Sequence, residues 1–255
     1  MSDIDKMNAQ EQVDMLKEID KAYANVKLPE VEPKYNKDGE ITNEKEIKET
    51  LKKVLTIVSA LWLLNKAITD TKSTKVMTNT ILYYNAVKKA KNIPKTMITK
   101  KEWTSLIDKI SSERAKQIKI NQVIRGNARV LNKRIQQTVV SMYKRGKSKP
   151  QIAKELQRTM RFNKNKAKSI AMTELNYYKS EAQLQATDGL KIKKTWKHNH
   201  ALEPRESHQR SDGKTVIGRD TYFVIGGNKT KAPQHFGIAS QDINCHCSMI
   251  IEVID

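Results

Sequence analysis

The chain has little cysteine, few aromatic residues and no long apolar run, and each shortage excludes a class of protein. Its two cysteines are separated by a single residue and form no disulfide framework. We therefore expect a protein that is synthesised and kept in a reducing cytoplasm. The longest apolar run, residues 54–64, has 11 residues, whereas a membrane-spanning helix needs about 20. Residues 1–5 resemble no secretory signal. With only 5% aromatic residues, the core is expected to depend on aliphatic side chains.

Two hydrophobic periods divide the chain. Apolar residues recur every three or four positions over most of the first 188 residues, which indicates amphipathic helices. The predicted helices cover residues 3–27, 43–69, 74–91, 100–145, 149–156 and 164–187. After Gly189 the period becomes two, and the predicted strands cover residues 190–196, 221–225 and 248–254. The predicted fold class is therefore α+β, with a mainly α-helical N-terminal two-thirds followed by a small α+β C-terminal module.

The charge is strongly uneven along the predicted helices. Residues 1–50 hold 13 acidic and 8 basic side chains, whereas residues 88–170 hold 24 basic and 4 acidic ones, in a chain of net charge +20. Solvated helices usually mix both signs to form pairs one turn apart. The excess therefore indicates a polyanionic partner, nucleic acid ahead of an anionic membrane, although a solvated lysine-rich surface is the simpler alternative.

Any nucleic-acid contact of this basic stretch is expected to be non-specific. Lysine and arginine contacts to phosphate carry no base information and weaken steeply with salt. The stretch also contains no RNA-recognition or zinc-finger signature. The candidate DNA-binding residues are Lys116, Lys119, Arg125, Arg129, Lys133, Arg134, Lys144, Arg145, Lys147 and Lys149.

All five histidines and both cysteines lie in the last 58 residues. On a strand, Cys245 and Cys247 would point to the same side, which suits two ligands of one metal ion. Zinc is the usual metal for cysteine and histidine ligands, and His208 is the expected third ligand, with His235 as a further candidate. The alternative is that the cysteines are small buried side chains of a terminal strand.

The loop around His208 permits a catalytic hypothesis as well. His208 stands near Glu206 and Asp212, and a carboxylate can orient an imidazole for proton transfer. A nuclease or toxin-type domain would use Arg205, His208 and Asp212 in this way. The alternative is a structural loop that turns at Asp212 and Gly213, and we expect no enzymatic activity.

Residues 148–250 resemble the minor head protein, or head morphogenesis, family of tailed phages that the F protein of phage Mu typifies. Two helical motifs come first, Ile152-Ala-Lys-Glu-Leu156 and Ala167-Lys-Ser-Ile-Ala-Met-Thr-Glu174. They are followed, in the family's order, by Trp196, Arg205, His208, Asp212-Gly213 and Asn244-Cys-His-Cys247. The chain departs from the family at two places. Arg205 and His208 replace a Cys-x-x-Cys pair that many members have, and His246 replaces an arginine.

The resemblance implies two domains and a role in the virion. A helical domain would occupy residues 1–147, acidic at its start and strongly basic later, and the Mu F-like domain would occupy residues 148–255. A non-enzymatic virion component of few copies is implied, which enters the procapsid in the host cytoplasm with the portal, capsid or scaffold protein. It would contact packaged phage DNA inside the capsid and influence packaging or ejection. Within the Mu F-like domain, Glu174, Trp196 and Asp212 would be structural.

Overall fold

A computed structural model describes residues 3–29, 32, 34–38, 40–118, 149–199 and 204–254, with residues 130, 133–135, 137, 138, 141, 142, 145 and 147 between them. Within the continuously described ranges, four long helices come first: α1 (Asp3–Ala24), α2 (Glu44–Ala90), α3 (Lys100–Ile118) and α4 (Lys149–Ala186). A short 3₁₀ turn, Pro94–Thr96, lies between α2 and α3. In the part of the chain described here, no helix is long and apolar enough to cross a membrane.

A small mixed module follows α4. It consists of β1 (Ile192–Lys197), α5 (Glu206–Gln209), β2 (Thr215–Ile217), β3 (Phe223–Ile225), β4 (Asn228–Thr230), α6 (Ala239–Asp242) and β5 (Ser248–Val253). Long helices followed by this module confirm the predicted α+β class.

The structure joins helices that the sequence analysis separates. Helix α2 runs without a break through the polar segment at residues 69–74, and α4 through residues 157–163. Neither helix contains glycine, and the one proline, Pro150, lies in the first turn of α4, where proline is tolerated. Without a breaker, a short polar stretch lowers the helical preference but does not end the helix.

Packing groups the chain into two units. The first contains residues 1–16, 69–117 and 169–255, and the second contains residues 17–68 and 118–168. Helices α1, α2 and α4 therefore contribute to both units. The predicted boundary after residue 147 rests on family resemblance rather than on packing, and it stays a prediction.

The core of the first unit continues from its helices into the module. Met77, Ile110 and Tyr177 are buried together, which joins the unit's parts of α2, α3 and α4. A second cluster contains Ala186 and Ile192 and so joins the end of α4 to β1. The third cluster is the centre of the module: Leu184, Trp196, Phe223, Ile225, Ala232, Cys245, Cys247 and Met249.

Strand β1 is the middle strand of a three-stranded antiparallel sheet of order β2–β1–β5. Thr195 lies opposite Thr215 of β2 and Ile250 of β5. The inward face of β1 carries Ile192, Lys194 and Trp196, all buried. Strands β3 and β4 form a separate hairpin.

The described residues of the second unit are mainly helical, apart from the segment between α1 and α2, where Tyr35 and Ile41 form a β-bridge. Val54, Val58 and Trp62 of α2 are buried at helical spacing, as the apolar run predicts. Asp20 of α1 forms ion pairs with Lys164, at 3.0 Å, and Lys168 of α4. These partly exposed pairs lower the pKa of Asp20, the Lys168 hydrogen bond most strongly.

Candidate metal centre and candidate DNA-binding residues

The structure brings His208, Cys245 and Cys247 into one buried cluster. His208 Nδ1 lies 3.5 Å from Cys245 Sγ and 3.7 Å from Cys247 Sγ. The three potential ligand atoms all lie within 4.8 Å of one another. The exposed fractions are 2% for His208, 1% for Cys245 and 2% for Cys247, so solvent scarcely reaches the cluster.

Aromatic rings and a glutamine fix the His208 imidazole. The residue lies on the one-turn helix α5, with Trp196 packed edge-on against its ring at 5.5 Å between centroids. Phe236 stacks on the ring, also at 5.5 Å. The second ring nitrogen, Nε2, lies 2.8 Å from Gln241 Oε1 of α6. Because an amide oxygen only accepts hydrogen bonds, Nε2 is the donor to Gln241, and Nδ1 faces the two sulfurs.

The Cys-His-Cys backbone is held from several sides. Gln234 Nε2 donates to the carbonyl oxygens of Cys245 and Cys247, at 2.8 Å each. Asn199 Nδ2 donates to the His246 carbonyl at 2.8 Å, and Arg205 to the Ile243 carbonyl at 2.6 Å. Asn199 and Arg205 lie between β1 and α5, and Gln234 lies between β4 and α6, so the position of the two cysteines is set by the fold of the module.

The Ser169 hydroxyl of α4 also holds this segment, because it donates to Asn244 Oδ1 at 2.7 Å. Asn244 has a φ of 58°, a left-handed conformation that asparagine tolerates better than most residues. This asparagine therefore turns the chain immediately before the first cysteine.

The two thiols differ strongly in acidity. A hydrogen bond from Cys247 lowers the pKa of Cys245, and His208 adds to this against the effect of burial. The pKa of Cys247 is raised, first because it donates that hydrogen bond and then because it is buried. Burial would lower the pKa of His208, but its contact with Cys245 raises it overall. One thiol therefore gives up its proton readily, and the thiolate is the form that ligates metals.

His235, the further candidate ligand, has other partners. Its Nδ1 lies 2.8 Å from the Pro233 carbonyl and its Nε2 lies 2.9 Å from Glu181 Oε2 of α4. Its ring stacks on Tyr177 at 4.3 Å. Burial would raise the pKa of Glu181, but the hydrogen bond and charge of His235 bring it below its usual value. His235 connects its loop to α4 rather than joining the three-residue cluster.

The residues of the catalytic hypothesis have separate partners. Asp212 Oδ1 accepts the His198 backbone N–H at 2.8 Å, and Asp212 Oδ2 lies 3.1 Å from Lys197 Nζ. The backbone hydrogen bond is the main reason that the pKa of Asp212 is lowered. His208 meanwhile contacts Gln241 and the two sulfurs. Asp212 thus binds residues at the end of β1 and does not orient the His208 imidazole.

The candidate DNA-binding residues fall mostly in the least described part of the chain. Lys119, Arg125, Arg129 and Lys144 lie outside the described residues, and so do the side chains of Lys116 and Lys149. The remaining four, in the second unit, are all exposed: Lys133, Arg134, Arg145 and Lys147. In the described part of the chain, none of these four side chains forms an ion pair, which leaves their charges available to a partner.

The sequence did not reveal the structural role of several buried charged residues, and two of them have clear partners. Lys194 of β1 donates to the carbonyls of Arg219, Thr221 and Lys231, at 2.6 to 3.0 Å. Burial lowers its pKa to about 8. The signal was present, because Lys194 falls on the same face as Ile192 and Trp196 in the alternating pattern.

The second is the partner of Glu174. Arg114 of α3 forms a two-pronged salt bridge with this α4 carboxylate, at 2.8 and 3.1 Å, and its guanidinium lies 3.8 Å above the Tyr177 ring. No local pattern indicates a pair 60 positions apart.

Helix α4 with Glu174, strand β1 with Trp196 and the buried His-Cys-Cys cluster all lie within one segment of the chain that resembles known proteins. Residues 133–250 match the family described as "Phage Mu protein F like protein", so this segment of the chain is similar to that family. The recognition made from the motifs is thereby confirmed.

Three curated proteins illustrate the range of the resemblance. The chain is 29% identical to the minor head protein GP7 of Bacillus phage SPP1 over 114 residues, which cover 43% of this chain and 37% of that protein. It is 30% identical to protein YqbB of Bacillus subtilis over 128 residues, 48% of this chain and 41% of that protein. It is 36% identical over 115 residues to a protein of Enterococcus faecalis named NAD(+)–arginine ADP-ribosyltransferase EFV, 43% of this chain and 23% of that protein.

The matched segments thus span well under half the length of these relatives. No solved structure matches the chain.

Proposed function

We propose that the chain is a minor structural protein of a tailed-phage head, which enters the procapsid during assembly and binds packaged DNA without sequence preference. The observation that carries the proposal is the head-protein match over residues 133–250 in a chain of net charge +20. A protein inside a DNA-filled head meets phosphate at high density, and an excess of unpaired positive charge is suited to that environment.

The DNA-binding part is supported by the four exposed residues of the second unit, Lys133, Arg134, Arg145 and Lys147. Each phosphate that a protein neutralises releases counterions, so the logarithm of the binding constant falls with the logarithm of salt concentration. For duplex DNA the slope is about −0.9 per phosphate contact. The slope of this plot therefore measures the number of phosphate contacts, which a binding constant at one salt concentration does not.

The experiment measures binding of a fluorescent random-sequence duplex to the full chain at several salt concentrations. We expect a steep negative slope and equal competition by unrelated duplexes. Replacing all four residues with glutamine should weaken binding at low salt and reduce the slope by as much as about 3.6. The matched control replaces four exposed lysines of the acidic part, Lys17, Lys21, Lys27 and Lys37, and so removes the same charge.

Two outcomes would contradict the DNA-binding part. One is a wild-type chain that does not retain duplex DNA even at low salt. The other is equal weakening by both quadruple variants, because net charge alone would then explain the binding.

Partner proteins and location follow from the head-protein assignment. We propose that a portal, capsid or scaffold protein brings the chain into the procapsid, and that the chain then influences packaging or ejection. The acidic residues 1–50 are the region best suited to a protein contact of opposite charge. Mass spectrometry of purified particles from the phage or prophage that encodes the chain tests this. Absence from particles that contain the portal protein would refute it.

The enzymatic alternative receives less support from the geometry. A nuclease or toxin-type site would need Arg205, His208 and Asp212 to converge on a substrate, but His208 is 2% exposed and Asp212 is bound to Lys197 and the His198 N–H. The match covers only 23% of the relative whose name is that of a transferase. DNA cleavage by the pure protein that disappears in the His208→Ala variant would favour the alternative.

A further inference from the structure

We propose that His208, Cys245 and Cys247 bind one zinc ion that closes the C-terminal module. This goes beyond the head-protein role, and neither depends on the other.

The first argument is distance. Zinc–sulfur bonds of about 2.3 Å and zinc–nitrogen bonds of about 2.0–2.1 Å, at tetrahedral angles, place a ligand nitrogen and a ligand sulfur about 3.6 Å apart. His208 Nδ1 lies 3.5 Å from Cys245 Sγ and 3.7 Å from Cys247 Sγ. Both nitrogen–sulfur spacings therefore already match those of a zinc tetrahedron, and the two sulfurs lie within 4.8 Å of each other.

The second argument is the orientation of the imidazole. A histidine that ligates a metal through one ring nitrogen almost always donates its other N–H to an oxygen acceptor. Gln241 Oε1 accepts from His208 Nε2 at 2.8 Å, which leaves Nδ1 facing the sulfurs. Trp196 and Phe236 hold the ring in this orientation. The arrangement supplies both the lone pair that a metal needs and the partner that fixes it.

Charge and burial indicate a structural site. Zinc with two thiolates and a neutral imidazole has no net charge, so the centre can be buried without the cost of an isolated ion. Among the described residues, no fourth His, Cys, Asp or Glu joins the cluster. A catalytic zinc needs a position that substrate can reach. Ligands that are at most 2% exposed do not provide one.

The primary experiment uses the untagged full chain, purified in reducing buffer without chelator. Elemental analysis is expected to find about one zinc per chain. Exchange into Co²⁺ should produce the visible and near-ultraviolet absorption of tetrahedral cobalt bound to thiolates. Chelator should remove the metal and lower the melting temperature. A wild-type chain that is folded by circular dichroism, but contains no zinc and gives no thiolate–cobalt absorption, would overturn the proposal.

Variants identify the ligands. Cys245→Ser and Cys247→Ser should each weaken zinc binding more than tenfold, whereas Gln241→Leu should keep the stoichiometry and weaken affinity by about 10–100-fold. The matched control is His246→Asn. His246 lies between the two cysteines in the sequence but is not part of the three-residue cluster. It should bind zinc as the wild type does. If it lost zinc as severely as Cys245→Ser, the ligand assignment would be wrong. If the serine variants fail to fold, the wild-type cobalt spectrum still decides, because it reports thiolate ligation directly.

Discussion

The Arg114–Glu174 salt bridge is the most deeply buried ion pair described in the first unit. Arg114 is 1% exposed and Glu174 is 4% exposed, and both guanidinium prongs are used. Taking two charges out of water is costly, and their attraction offsets this only while both partners are present. The pair therefore makes the packing of α3 against α4 dependent on each side chain separately.

We expect Arg114→Ala to lower the free energy of unfolding by about 3–5 kcal/mol, because the buried Glu174 carboxylate would lose the opposite charge that offsets its desolvation. Replacing both residues with apolar ones, Arg114→Met with Glu174→Leu, should recover most of this loss. Urea denaturation followed by circular dichroism measures both.

Arg158→Ala is the control, because it breaks the exposed pair with Glu155. Its cost is expected to stay below about 1 kcal/mol. An Arg114→Ala variant as stable as Arg158→Ala would show that the buried pair has no such role.

Residue chemistry was predictable from the sequence where it depended on short spacing. Two cysteines one residue apart indicated a shared side, and His208 was chosen from a turn-rich loop; the structure places all three together. Gln241 could not be predicted, because its contact with His208 exists only once α5 and α6 pack against each other. The same holds for Gln234, 11 and 13 positions from the carbonyls it binds.

At the scale of elements, strong periodicity predicted that a helix or strand exists better than it predicted where that element begins and ends. The four long helices and strands β1, β3 and β5 were anticipated from their patterns. Strands β2 and β4 were not, since each has three residues and neither lies in a longer run with strand character, as β3 does in residues 221–225. Their positions are determined by pairing with β1 and β3, and such pairing depends on the tertiary fold.

The turn after α4 contains a glycine, Gly189, that lies close to Thr96. Gly189 has a φ of 76°, and a Cβ added there would lie 2.7 Å from Thr96 Cγ2. Gly213 has nearly the same φ, 77°, but nothing lies within 4 Å of its added Cβ. The two positions share the backbone strain of a left-handed alanine and differ only in crowding.

We therefore expect Gly189→Ala to destabilise the protein more than Gly213→Ala does. The Gly213 variant should lose about 1 kcal/mol from backbone strain, and the Gly189 variant about 1–3 kcal/mol more from overpacking. Thermal or urea unfolding of both measures the difference. Adding Thr96→Ser to Gly189→Ala removes the crowded methyl group and should close most of the gap. Equal losses at the two glycines would show that Thr96 moves aside without cost.

On the scale of the whole molecule, charge is the dominant property. Residues 88–170 account for a net +20, which equals the charge of the whole chain because the net −5 of the first 50 residues balances the net +5 of the other segments. Self-repulsion of this size opposes the compact state until counterions or a polyanion screen it. The same charge that suits a DNA-filled head is therefore expected to destabilise the isolated protein.

Raising sodium chloride from low concentration to about the physiological range should accordingly raise the melting temperature by a few degrees, since 1 kcal/mol corresponds to about 2–4 °C for a protein of this size. The glutamine variant of Lys133, Arg134, Arg145 and Lys147 should show a smaller rise. The variant of the four lysines in the acidic part should not. A melting temperature that falls with salt would mean that attractive pairs outweigh the repulsion.

The position of β5 affects how the module is made on the ribosome. Strand β1 lies between β2 and β5, yet β5 and the Cys-His-Cys segment before it are the last parts of the module to be synthesised. Until they emerge, one edge of β1 has no strand beside it, and an open edge can pair with another nascent chain. Completion of the sheet and assembly of the His-Cys-Cys cluster thus occur in the same late step. Premature termination before Cys245 would remove both at once and leave an aggregation-prone chain.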